Sequence, residues 1–223
     1  MSEYLAFAGE HLPFLLEGVP ITLGLWVLAI SIGFFFGLAL AWARIYGARP
    51  AYAAATVYVE IFRGTPMLVQ MFFIYLGLPE VGIVLDPFTA AVVAIGLNTS
   101  AYQAEYFRGS IQSIPRGQMT AARAMGMKEW QALRYVILPQ ALRRVIPQWS
   151  NEAILELKFT SIAFAIGVTE LTARAETVGF KTFQFFEIFL LVAVIYLVLT
   201  ATVAQILQFV EDRTRIPGLT LQA

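Results

Sequence analysis

The sequence contains no cysteine and only one histidine, His11, in 223 residues. Without cysteine the chain can form neither a disulfide nor a thiolate metal site, and one histidine cannot build a cluster of histidine metal ligands. The phosphate-binding motif GxxxxGK followed by Ser or Thr is also missing, so the chain does not bind and hydrolyse ATP through such a loop. Disulfide scaffolds, cysteine or histidine metal centres and P-loop ATPases are therefore excluded.

Charged residues are scarce as well. They make up 13% of the chain, whereas 59% of the residues are hydrophobic, and the mean hydropathy is +0.71. Soluble globular domains carry about 25% charged residues. The 15 basic and 15 acidic residues also cancel, which leaves no basic excess for nucleic acid. The composition predicts an integral membrane protein that contacts lipid and has no nucleic-acid partner.

Apolar residues concentrate in five segments, each long enough to cross a bilayer, which takes about 20 residues of helix. These segments are residues 19–43, 57–78, 88–108, 145–168 and 185–209. The pattern predicts an all-α, polytopic membrane protein with five transmembrane helices. We treat residues 1–223 as a single transmembrane domain.

The charges beside these segments predict the orientation. The basic residues gather at one end of the spans, as Arg44, Arg49, Arg108, Arg116, Arg123, Lys128, Arg134, Arg143, Arg144, Arg213 and Arg215. Acidic residues dominate the other end, as Glu3, Glu10, Glu17, Glu80, Asp86, Glu170 and Glu176. Because basic loops stay in the cytoplasm, we predict an outside N-terminus, a cytoplasmic central loop at about 109–144 and a cytoplasmic C-terminus.

The central loop contains the longest polar interval, residues 118–139. Its alanine-rich first part favours a helix, and Gly126 is the expected break because glycine takes a left-handed turn without steric cost. A second short helix is predicted from Lys128 towards Val136, stopped by Pro139. Such a bent pair of helices suits docking of a soluble partner, although an ordinary amphipathic loop is the alternative.

The spacing of Ala121, Ala122 and Gly126, followed by Ile137, Leu138 and Pro139, resembles the EAA loop of ABC importer permeases. That loop is the family's coupling helix for the ATPase subunit. The resemblance implies the type I ABC importer permease fold and assigns ATPase coupling to Thr120, Ala121, Ala122, Met125, Gly126, Met127 and Trp130.

Residues 117–118 and 139–143 resemble the polar amino-acid branch of that family. Two positions depart from the usual pattern, because Thr120 replaces a glutamate and Val136 replaces an isoleucine. Thr120 cannot form the ion pair that a glutamate would make with the ATPase. Docking itself does not depend on that pair.

The resemblance also implies the partners. A translocation subunit of this family is not itself an enzyme and needs no cofactor of its own, since ATP and Mg belong to the partner ATPase. Two ATPase subunits, a second permease subunit that is identical or paralogous, and an extracytoplasmic amino-acid-binding protein complete the importer. Its location is the prokaryotic plasma (inner) membrane.

Several intramembrane residues are predicted to be structural. Gly33 and Gly37 form a GxxxG pair that lets another helix approach closely. Glu60 and Arg63 lie three residues apart and can neutralise each other on one helical face. Glu105 is predicted to pair with Arg108, three residues further along.

Other polar residues are candidates for the cavity. Asn98, Tyr102 and Glu105 share one face of the third span, and Glu152, Glu156 and Thr160 share one face of the fourth. Because two stacked carboxylates within a bilayer need a nearby cation, the cargo itself could be cationic. The alternative is that both glutamates are ion-pair partners inside the bundle.

The stretch from Ser150 to Ser161 resembles permeases for basic amino acids, namely arginine, lysine and histidine, although Phe159 replaces a residue that is often aspartate or small and polar. The function implied is ATP-driven import of polar amino acids, with basic ones expected, by alternating access. The substrate-binding residues predicted on this basis are Asn98, Tyr102, Asn151, Glu152, Glu156, Lys158, Thr160 and Ser161.

Two other classes of function compete with this interpretation. A secondary transporter or channel could use Glu105, Glu152 or Glu156 as a proton site, but the repeated halves with broken helices that indicate such proteins are missing from the sequence. An intramembrane enzyme would need a metal cluster or a nucleophile–base pair, and the sequence offers neither.

Overall fold

A computed structural model describes residues 2–214, so that Arg215, one of the predicted inner charges, lies outside the described residues. Nearly all of residues 2–214 are helical, and no strand occurs among them. The prediction of an all-α fold is thereby confirmed.

The helices follow one another with short connections. They are α1 (Ser2–Leu16), α2 (Val19–Tyr46), α3 (Arg49–Gly64), α4 (Met67–Phe72), α5 (Pro87–Gln112), α6 (Arg116–Ala124), α7 (Glu129–Ala132), α8 (Leu138–Phe159), α9 (Leu171–Thr182) and α10 (Phe185–Thr214). A π-helical turn and a 3-10 turn extend α4 to Val81, another π-helical turn joins α7 to α8, and a 3-10 turn extends α8 to Ile166.

Two of these helices, α2 and α10, are long and apolar enough to cross a membrane on their own. A third span is obtained if α3 and the run from Met67 to Val81 are counted together, although they are bent by 109°. Helices also occupy the third and fourth predicted segments, as α5 and α8. The count of five spans therefore stays a prediction, while the helices lie where the sequence pattern indicated.

The core of the bundle is the contact between α2 and α5. A Cβ atom added to Gly37 would lie 2.9 Å from the Ser100 carbonyl oxygen and 2.9 Å from the Gln103 Cβ, and one added to Gly33 would collide with Thr99. The two helices can pack this closely only because both positions lack a side chain. The predicted packing role of this glycine pair is confirmed.

The second predicted span is broken. Helix α3 ends at Gly64, Thr65 and Pro66 take extended backbone angles, and α4 begins at Met67. Proline has no N–H and disfavours helix in the residue before it. The chain therefore bends sharply at Pro66, and the bend separates two helices.

The predicted docking segment bends at Gly126, whose φ of +85° is in the left-handed region that favours glycine. Beyond this turn the prediction of a helix stopped by Pro139 is wrong. Residues 129–159 are helical without a gap, since α7 passes through the π-helical turn at Leu133–Ile137 into α8. Pro139 lies inside this run, just after the π-helical turn, and the helix continues through it.

Helix α9 occupies the connection predicted to face outward. The Glu170 side chain caps it by accepting hydrogen bonds from the backbone N–H groups of Thr172 and Ala173 at 2.9 Å and 2.8 Å. The Tyr196 hydroxyl donates to the same carboxylate at 3.0 Å. Burial raises the pKa of Glu170, although these hydrogen bonds act in the opposite direction. The capped end of α9 is thus fixed against α10.

Candidate functional site

A polar cluster lies where α3, α5 and α8 meet, and it consists of Arg63, Tyr102, Tyr106 and Glu152. The Tyr106 hydroxyl donates a hydrogen bond to the Glu152 carboxylate over 2.9 Å. The Arg63 guanidinium lies over the Tyr102 ring, 5.4 Å from its centroid. Tyr102 lies one helical turn before Tyr106 on α5, so that the two contacts lie on one face of that helix. We call these four residues the arginine–glutamate cluster.

The cluster is open on one side. Arg63 is exposed, both tyrosines are half-buried and Glu152 is 7% exposed at the back. A cation and a carboxylate held near two tyrosines can bind a molecule that carries both charges, since hydrogen bonds to charged groups are roughly twice as strong as neutral ones. The arrangement fits the ammonium and carboxylate groups of a free amino acid.

Three of the predicted site residues, Asn98, Glu156 and Thr160, are buried outside this cluster. The Asn98 side-chain N–H₂ group donates to the Phe62 carbonyl at 3.1 Å and to the Gln70 side-chain oxygen at 2.9 Å. Thr160, which is fully buried, donates to the Leu157 carbonyl at 2.7 Å. Glu156 is 1% exposed, and its Oε2 atom has no hydrogen-bond partner among the described residues.

The other predicted residues divide between the cluster and the surface. Tyr102 and Glu152 belong to the arginine–glutamate cluster. Asn151 and Lys158 are exposed on other faces of α8, and the half-buried Ser161 donates to the Lys158 carbonyl at 2.7 Å. The structure thus places two of the eight residues in the cluster, through the contacts of Tyr102 with Arg63 and of Glu152 with Tyr106, and leaves the other six outside it.

Sequence reasoning missed Arg63 and Tyr106. Arg63 was predicted to pair with Glu60, but the ion pairs formed by the side chains of residues 4–214 do not include that one. Tyr106 had a usable signal, because it continues the spacing of four residues from Asn98 to Tyr102.

Both carboxylate oxygens of Glu105 form ion pairs with arginines. Its Oε2 atom is 2.6 Å from Arg108, which confirms the predicted pair, and its other oxygen pairs with Arg44 of α2. A carboxylate paired on both oxygens is a poor proton carrier. This arrangement argues against the proton site that a secondary transporter would place on Glu105.

The predicted coupling residues surround the turn between α6 and α7. Met125 is 83% exposed and Trp130 is 56% exposed, whereas Ala122 is 6% exposed. Thr120, Ala121 and Gly126 are exposed, and Met127 is half-buried. Large apolar side chains at the tip of a polar loop form a surface that another protein can cover.

Comparison with known proteins identifies the family. Residues 20–216 match the family described as the binding-protein-dependent transport system inner membrane component. The chain belongs to this family. The permease is similar to the glutamine transport system permease protein GlnP of Escherichia coli (strain K12), with 42% identity over 207 residues, 92% of this chain and 94% of the relative.

A second relative is the arginine transport system permease protein ArtQ of Bacillus subtilis (strain 168), 36% identical over 206 residues, 92% of the permease and 94% of the relative. A solved structure titled as an amino acid ABC transporter with histidines has a TM-score of 0.88 and 39% identity, covering 94% of the permease and 98% of that chain.

These similarities confirm the resemblance and the fold. The permease is the membrane translocation subunit of an amino-acid ABC importer and is not an enzyme. Its helical fold matches the type I ABC permeases. The relatives differ in the amino acid that their names specify, so membership alone does not identify the cargo.

Proposed function

We propose that the permease imports polar amino acids, and in particular basic ones, and that the arginine–glutamate cluster holds their charged head group. The observation that carries this proposal is the cluster itself. Glu152 would accept hydrogen bonds from the α-ammonium group, and Arg63 would donate to the α-carboxylate. Tyr106 orients Glu152 through its 2.9 Å hydrogen bond.

The names of the two relatives support a head-group site. One specifies glutamine and the other arginine, and these two amino acids share only the α-ammonium and α-carboxylate groups as charged features. A site built from one cation and one carboxylate recognises this shared part. The preference among side chains then depends on residues around it and on the binding protein.

Basic cargo is the finer part of the proposal. It rests on the second carboxylate, Glu156, one helical turn beyond Glu152, and on the exposed Asn151 beside it. Lys158, Thr160 and Ser161 extend the same helix and its 3-10 continuation, and complete the set of substrate-binding residues with Asn98 and Tyr102.

The proposed assembly has two permease subunits, identical or paralogous, two ATPase subunits that hold ATP and Mg, and an extracytoplasmic amino-acid-binding protein. The N-terminus faces outward and the C-terminus the cytoplasm. Closure of the ATPase dimer would draw the two coupling turns together and switch the cavity from inward-facing to outward-facing. Loss of ADP would reverse the change.

The test is calorimetric binding of arginine, glutamine and glutamate to the purified importer, without its binding protein, for the wild type and for Glu152→Gln and Arg63→Gln. Loss of one charge-assisted hydrogen bond is worth about 1.5–3 kcal/mol, so each variant should bind arginine at least about tenfold more weakly. Arg143→Gln, at an exposed position nearer the start of α8, is the matched control for removal of a charge.

The preference for basic amino acids and the head-group site are tested by different results of this experiment. Binding of glutamine or glutamate in preference to arginine would overturn the basic specificity and leave the head-group site intact. Unchanged binding in both Glu152→Gln and Arg63→Gln would overturn the head-group site.

A further inference from the structure

The bend at Pro66 leaves backbone carbonyls of α3 without helical partners. In an unbroken helix, the carbonyl of Phe62 would accept from the N–H of Pro66, which does not exist, and that of Thr65 also lies at the break. Each unsatisfied carbonyl at membrane depth costs several kcal/mol. The chain must therefore supply other donors at this point.

Two side-chain amides supply them. The Gln70 Nε2 atom donates to the Phe62 carbonyl at 2.9 Å and to the Thr65 carbonyl at 3.0 Å. Asn98 of α5 donates to the same Phe62 carbonyl at 3.1 Å and to the Gln70 Oε1 atom at 2.9 Å. Gln70 is 9% exposed and Asn98 is 4% exposed. We call this closed set of hydrogen bonds the amide bracket.

The amide bracket also ties α3 to α5. A second tie lies one turn earlier in α3, where the Tyr58 hydroxyl is 2.9 Å from the Leu97 carbonyl and 2.8 Å from the Ser100 hydroxyl. Arg63 directly follows Phe62, the residue whose carbonyl the bracket holds. Its guanidinium lies over Tyr102, one turn beyond Asn98 on α5.

We propose that Gln70 and Asn98 are positioning residues that set Arg63 in the substrate site through the amide bracket. They do so by holding the last turn of α3 against α5, without touching the amino acid. The broken span thereby presents a cation from the end of a helix, and its direction is fixed by two neutral amides. This inference rests on the proposed head-group site and gives Asn98 a different role from direct binding.

The experiment measures the affinity of the purified importer for arginine, again without the binding protein, in Gln70→Leu, Asn98→Leu and the double variant. Each single variant should bind about tenfold more weakly, which corresponds to about 1.4 kcal/mol. Because the two amides act as one unit, the double variant should bind no more weakly than either single variant. Additive losses, about a hundredfold in the double variant, would overturn the bracket.

Asn98→Leu combined with Arg63→Gln distinguishes a positioning role of Asn98 from direct contact with the substrate. If Asn98 acts through Arg63, Asn98→Leu has no further effect once the guanidinium is gone. A further tenfold loss in that background would overturn the proposal, since it would mean that Asn98 binds the substrate itself.

Gln103→Leu is the matched control for loss of a buried amide on α5. Gln103 is fully buried and bonds to Trp149 and Thr99, away from the break. The Gln103→Leu variant should lower the melting temperature as much as Asn98→Leu does and leave the affinity for arginine unchanged. An equal loss of affinity in Gln103→Leu would overturn the bracket.

The two proposals fail in different ways. If Arg63→Gln binds arginine more weakly while Gln70→Leu and Asn98→Leu bind it normally, only the amide bracket is overturned. If Arg63→Gln itself binds arginine normally, the head-group site is overturned.

Discussion

At the scale of single residues, burial decides what an ion pair contributes. Glu105 pairs with Arg44 and Arg108, and the side chains of Glu105 and Arg44 are 18% and 10% exposed. Removing one partner of a buried pair leaves charges without compensation, which typically costs about 3–5 kcal/mol. The pair between Glu17 and Arg174 has the same chemistry, but the Glu17 side chain is 66% exposed.

We expect Glu105→Gln to lower the free energy of unfolding by about 3 kcal/mol, because two arginines lose their counter-charge. Glu17→Gln is the control and should cost less than about 1 kcal/mol, since exposed pairs are screened by water. Unfolding of the purified permease in mixed micelles, titrated with SDS, measures both. Equal losses in the two variants would contradict this explanation.

Which residues share a buried face could be predicted from the sequence wherever they lie on a regular helix. Glu152, Glu156 and Thr160 share a buried face as their spacing predicted. Arg63 could not be predicted in the same way, because Glu60 offered a partner at ideal helical spacing and nothing local showed that the guanidinium would lie over Tyr102. The packing of α3 against α5 brings the two side chains together.

At the scale of elements, the close contact of α2 with α5 predicts the effect of a single methyl group. Gly37→Ala would place its Cβ 2.9 Å from backbone and side-chain atoms of α5, so the helices must separate. Overpacking of this kind costs about 1–3 kcal/mol. The same SDS titration should detect this loss of stability.

Gly24→Ala is the control on the same helix. Its Cβ would lie 3.6 Å from the Phe88 ring, an ordinary contact, and we expect a change within about 0.5 kcal/mol. A Gly37→Ala variant as stable as the control would mean that the two helices do not pack as closely as described.

The long apolar helices could be predicted from apolar runs, but the helices α1 and α9 and the ends of all the helices could not. Prolines show why, because the chain breaks between α3 and α4 at Pro66 but stays helical through Pro139. A π-helical turn precedes Pro139, whereas α-helix alone precedes the break at Pro66. A π-helical turn before Pro139 gives no signal in the sequence pattern.

At the scale of the whole molecule, the turn at Gly126 links the permease to its proposed ATPase. Proline fixes φ near −65°, which is incompatible with the observed +85°. We expect Gly126→Pro to insert normally but to hydrolyse ATP without a matching uptake of amino acid. The local strain is about 1–3 kcal/mol and falls on the docking turn alone.

Uptake per ATP hydrolysed, measured in proteoliposomes with the complete importer, tests this expectation. Gly126→Asn is the control, since asparagine tolerates the left-handed region and should keep transport coupled. Normal coupling in Gly126→Pro would show that the turn does not transmit the motion.

The unbroken helical run through residues 129–159 has a mechanical consequence. The exposed Trp130 and the buried Glu152 belong to the same continuous helical run. At about 1.5 Å of rise per residue, at most about 33 Å of helix separates these residues, and a tilt of about 10° at one end displaces the other by up to about 6 Å. The proposed head-group site, at Glu152, thus lies far along this helical run from the proposed docking turn, so that a small tilt there moves Glu152 by a distance comparable to the size of an amino acid.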